Sequence, residues 1–168
     1  MVAMTPLAAD LLILFRRDLG CLGREVAAFP DDVTLWRTLP GISNSAGNLA
    51  LHVAGNLLHF VGTVLGGTGY VRDRDREFAR REGSRAELIA ELERTALDVE
   101  KGLQALTAAA LAAPYPAAVA GHHPPTGRFL LHLEAHLAFH LGQVGYLRRA
   151  LTGDATSAGA MSVKDLVP

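Results

Sequence analysis

The sequence has only one cysteine, Cys21, so no disulfide can form within the chain. That excludes the disulfide framework of small secreted domains, and Cys21 reads as a small buried hydrophobe in a reducing compartment. An excess of one charge sign is also missing, since the formal net charge is −1. Without a basic field there is nothing to hold a phosphate backbone, and nucleic acid is not an expected partner. There is no alternating strand pattern, internal repeat, cysteine cluster, phosphate-cradling glycine loop or G-x-S-x-G elbow. The apolar run Leu11 to Phe15 has no basic segment ahead of it, and Arg16, Arg17 and Asp18 interrupt it short of signal-peptide or membrane length.

A longer stretch lacks charge altogether, because no Asp, Glu, Lys or Arg lies between Arg37 and Arg72. Asn44, Asn48, His52, Asn56 and His59 recur through it, and each would be costly facing lipid. The segment is therefore expected to be a helix buried on most sides, in a protein that is cytoplasmic and does not enter membranes.

With 168 residues, 49% apolar and 20% charged, the chain suits a single compact core. Thr5-Pro6 starts a first helix that runs toward Phe29, where Pro30, Asp31 and Asp32 end it. Ser43 or Asn44 caps a second helix reaching about Leu65, before Gly66, Gly67 and Gly69. The charged stretch Arg72 to Phe78 reads as a crossover linker or short helix, its arginines pairing in solvent with Asp73, Asp75 and Glu77. Ser84-Arg85-Ala86-Glu87 is a capping box that opens a third helix with a seam of Leu88, Leu92, Val99, Leu103 and Leu106. Residues 114–125 read as loop, and Thr126 caps a fourth helix extending to about Leu151. The expected fold is all-α, a four-helix bundle over residues 1–153 with a loosely ordered tail at 154–168.

Histidines break the apolar pattern. The fourth-helix seam runs Phe129, Leu133, His136, His140, Gln143 or Val144, and Leu147, and the second-helix seam runs Ser45, Leu49, His52, Asn56, His59 and Thr63. Unpaired polar groups cost a few kcal/mol each to bury, so they must bond to one another, to water or to an ion. His136 and His140 lie one turn apart and can converge on one point, and an imidazole from the second helix completes three ligands. A His132/His136 pair is an alternative, but His132, His136 and His140 cannot all reach one ion, since the outer two are roughly 12 Å apart along the axis. Three protein ligands leave an open position, and imidazoles suit zinc, nickel, iron or copper. There is no H-E-x-x-H peptidase motif, and the Glu-x-x-His spacing of di-iron bundles is missing.

The segment Asn48-Leu49-Ala50-Leu51-His52-Val53-Ala54-Gly55-Asn56, the stretch Arg72 to Phe78 and the run His136-x-x-x-His140-Leu141-Gly142-Gln143 together resemble the DinB-like metalloenzymes. Within that family they are closest to a subgroup with a "GN…RDREF" signature. The resemblance covers about residues 5 to 152. It implies a four-helix bundle with a long crossover between the second and third helices, and His52, His136 and His140 as metal ligands, with zinc or nickel expected. Asn56 and Gln143 would orient the ligands. Family members of known activity are largely thiol transferases, commonly dimers, and some relatives resemble maleylpyruvate isomerases that use a thiol. The expected function is a divalent-metal-dependent transferase joining a low-molecular-weight thiol to an electrophilic small molecule, as a homodimer. Arg72, Arg74 or Arg76 could hold the thiol's carboxylates. The alternatives are metal-assisted hydrolysis, a non-catalytic metal-binding or interaction bundle and, more remotely, bis-histidine haem ligation.

Overall fold

The computed structural model of the chain describes residues 4–166. Helix α1 spans Pro6–Ala27, with the Thr5 side chain accepting from the Ala8 amide and a proline in the first turn. Its face of Leu11, Phe15, Leu19, Leu22 and Val26 is buried. The short α2, Asp32–Leu35, delivers Trp36, whose indole N–H donates to the Gly83 carbonyl at 2.7 Å.

Helix α3 spans Ala46–Leu57 and is nearly all buried. Ser45, one residue beyond the expected caps, is its N-cap and forms a capping box with Asn48. The expected continuation to Leu65 is not regular, because residues Leu58–Thr63 form a π-helical turn. This turn lies where the next long helix comes very close. A β-carbon on Gly102 would stand 2.5 Å from the Val61 carbonyl oxygen, so the backbones meet where only glycine fits.

The crossover holds α4, Arg74–Ala79, and leads to α5, Arg85–Gln104, which opens with the Ser84/Glu87 capping box. After α6, Ala108–Ala112, and the expected loop, α7 spans Thr126–Thr152. Pro125, not Thr126, is its N-cap, and the Thr126 hydroxyl donates to the Ala113 carbonyl. The four long helices make the expected bundle: α1 packs on α5 and α7, and α3 packs on the same two from the opposite corner.

Two buried ion pairs join this core. Arg148 of α7 bonds to Glu25 of α1 at 2.5 Å, and Arg17 bonds to Asp18 at 2.6 Å. Arg148 also donates to the carbonyls of Asp154 and Thr156, and the Ala158 carbonyl accepts from Arg24, so residues beyond α7 are tied back to the bundle. Among the described residues, no helix is long and apolar enough to cross a membrane.

Candidate metal centre

The buried stripe of α7 is Leu130, Leu133, Leu137, Leu141, Val144 and Arg148. The histidines run beside it, half-buried, and not down its centre as the seam reading places them. That offset turns His136 and His140 toward α3, where His52 is 8% exposed. Among the described residues these three form one group that could hold a metal ion, their ligand atoms all within 4.8 Å of one another. Nε2 of His136 lies 3.3 Å from Nε2 of His52 and 3.0 Å from Nε2 of His140. Tetrahedral zinc with bonds of about 2.0–2.1 Å needs donor atoms about 3.3 Å apart.

The outer nitrogens set the tautomers. Nδ1–H of His52 donates to Oε2 of Glu77 at 2.9 Å, and Nδ1–H of His140 donates to Oε1 of Gln143 at 2.7 Å. Arg72 Nη2 also stands 3.2 Å from His52 Nδ1, but a nitrogen that donates to a carboxylate has no lone pair left to accept. In the neutral tautomers that these bonds select, both inward Nε2 atoms carry lone pairs. Burial, then the neighbouring imidazoles of His140 and His52, pushes His136 down to about 4. Burial also lowers His140, partly offset by its bond to Gln143. Three imidazole nitrogens from two helices converge here, and two of the rings have their outer N–H groups already bonded, so this donor set fits a divalent transition metal.

Glu77 is the site residue that sequence reasoning missed. Far from being solvated, it is 6% exposed, and Arg72 grips it through Nε to Oε1 at 2.7 Å and Nη2 to Oε2 at 2.9 Å. Burial would raise its pKa, but the bonds from His52 and Arg72 outweigh that and hold it below the ordinary carboxylate range. Asn48 anchors the segment by donating through Nδ2 to the carbonyls of Glu77 and Arg80, at 2.9 and 2.8 Å. The "GN…RDREF" pieces thus form one device that aims His52. Arg72 is consumed by it, while Arg74 lies over the Phe78 ring.

Other sequence candidates fall elsewhere. His59 meets Phe60 edge-on, its pKa lowered by burial and then by Arg72, and exposed His132 stacks beside His136, but neither joins the triad. Asn56, one turn beyond His52, is buried, and its Oδ1 has no partner among the described residues. A cavity of about 450 Å³ opens beside His140 and Gln143, walled by Leu39, Leu49 and Leu147.

No curated protein matches the chain. A family model described as the DinB superfamily matches residues 22–144, well over half of the sequence.

Proposed function

Since the chain belongs to the DinB superfamily, we propose that it is a divalent-metal-dependent transferase joining a low-molecular-weight thiol to an electrophilic small molecule. His52, His136 and His140 are the proposed ligands and zinc or nickel the proposed metal. Family members of known activity support the thiol chemistry and a homodimer, and the single cysteine fits a reducing, cytoplasmic location. A divalent ion on three imidazoles supplies Lewis acidity that lowers the pKa of a thiol or water entering its remaining position.

The observation that carries this reading is the pairing of three inward imidazole nitrogens with a carboxylate that is already spent. Glu77 and Gln143 hold His52 and His140 with Nε2 inward, and burial keeps His136 unprotonated near neutral pH. Glu77 is saturated by Arg72 and His52, so it is not free to draw a proton from water. A thiol, with an ordinary pKa of about 8.5, needs much less help than water at about 15.7. This favours thiol transfer over hydrolysis.

The test is elemental analysis of the purified protein beside His136→Ala, followed by thiol consumption with a model electrophile such as 1-chloro-2,4-dinitrobenzene. About one divalent ion per chain, lost in the variant, with metal-dependent thiol consumption, is the expected result. Ester or amide turnover without thiol would move the assignment to metal-assisted hydrolysis. Metal without any turnover would leave a binding bundle, and a chain that takes up no metal would overturn the proposal.

A further inference from the structure

We propose that the cavity beside His140 is the binding site for the electrophile and that it selects an uncharged, largely apolar small molecule. This rests on the thiol-transfer reading and adds the substrate class to it. Its volume of about 450 Å³ falls within the roughly 300–1,000 Å³ of small-molecule pockets. One edge is formed by His140 and Gln143, so a molecule seated there lies against a member of the triad and the side chain that aims it.

The walls decide the chemistry. Among the described residues lining the cavity, none is Asp, Glu, Lys or Arg. Leu39, Ile42, Leu49 and Leu147 supply hydrocarbon, while Ser43 and Asn44 offer neutral groups able to meet a carbonyl or nitro oxygen. A charged substrate would shed hydration with no counter-charge to receive it, whereas a neutral apolar one is favoured by burial.

A second cleft makes the contrast sharp. It measures about 350 Å³ and is rich in charge, with Asp73, Arg76, Arg80, Glu87 and Glu91 in its lining. Glu77 also lines it, and Glu77 bonds to the outer nitrogen of His52. None of the three histidines lines that cleft, whereas His140 itself lines the uncharged cavity, so the uncharged cavity is the one of the two in which a bound molecule touches a member of the triad.

The experiment compares two fluorescent dyes that differ by one charged group, neutral N-phenyl-1-naphthylamine and its sulfonate, 8-anilino-1-naphthalenesulfonate, on zinc-loaded protein. The neutral dye should bind at least tenfold more tightly. Ile42→Lys puts a cation at a lining position that is 48% exposed, so the fold tolerates it, and should weaken the neutral dye several-fold while strengthening the sulfonate. Equal or tighter sulfonate binding to the unmodified protein, or dye affinities indifferent to Ile42→Lys, would overturn the proposal. The dyes need neither thiol nor turnover. A protein that discriminates between them but never conjugates a thiol keeps this cavity's selectivity and loses the transferase reading. Equal conjugation rates with neutral and charged electrophiles remove the selectivity alone.

Discussion

Gly55 has no room for a β-carbon, because the Glu77 carboxylate occupies the space that carbon would need. The absent side chain on α3 is what lets the crossover push a carboxylate against His52. Gly55→Ala should displace Glu77, costing about 1–3 kcal/mol as an overpacked site and weakening metal retention. Urea unfolding and competition with a metal chelator measure the two effects separately.

Glu77→Gln keeps the shape of the side chain but removes the charge that Arg72 and His52 share. Metal affinity should fall about 10–100-fold, while the circular dichroism spectrum stays helical. Unchanged affinity would mean that the carboxylate does not aim the ligand.

The pH response of metal-free protein follows from His136, whose pKa drops from an ordinary 6.5 to about 4 on folding. The unfolded chain binds the proton more readily, so the stabilisation is present above about pH 6.5. It fades as pH falls and is gone once the folded value near 4 is passed. His140, lowered in the same direction, adds to the loss. Denaturation midpoints between pH 4 and 7 should fall with acid, less steeply in His136→Ala.

Arg148 and Glu25 are 1% and 2% exposed in side chain, so removing one strands the other. Arg148→Met should destabilise the bundle by about 3–5 kcal/mol. It also frees the carbonyls of Asp154 and Thr156, so limited proteolysis after α7 should speed up.

The bundle was legible because its helices carry their own punctuation. Thr5-Pro6 and the Ser84/Glu87 box act locally, within one turn, and each stands where the spacing predicts. The His136/His140 pair was legible for the same reason, since one turn of helix brings them together. Glu77 was not, because it sits among alternating charges typical of a solvated segment. Its partners His52 and Asn48 are 25 and 29 residues away, and Gly55 shows its purpose only once α4 is in place. The π-helical turn had no local signal either. It accompanies the close approach of Gly102 to Val61, a fact of packing between helices and not of sequence within one.

Helix α4 is six residues long, too short to persist by its own hydrogen bonds, and it is fastened to α3 by the Asn48 amide and the Glu77 carboxylate. The same carboxylate aims His52, so seating of the crossover and retention of an ion at the triad are reciprocal equilibria: each must favour the other by the same factor. A filled centre would slow hydrogen exchange at residues 72–80, and anything that pried this segment from α3 would loosen the ion without touching a histidine. On the proposed metal site, the crossover would be a handle by which the centre is opened from outside.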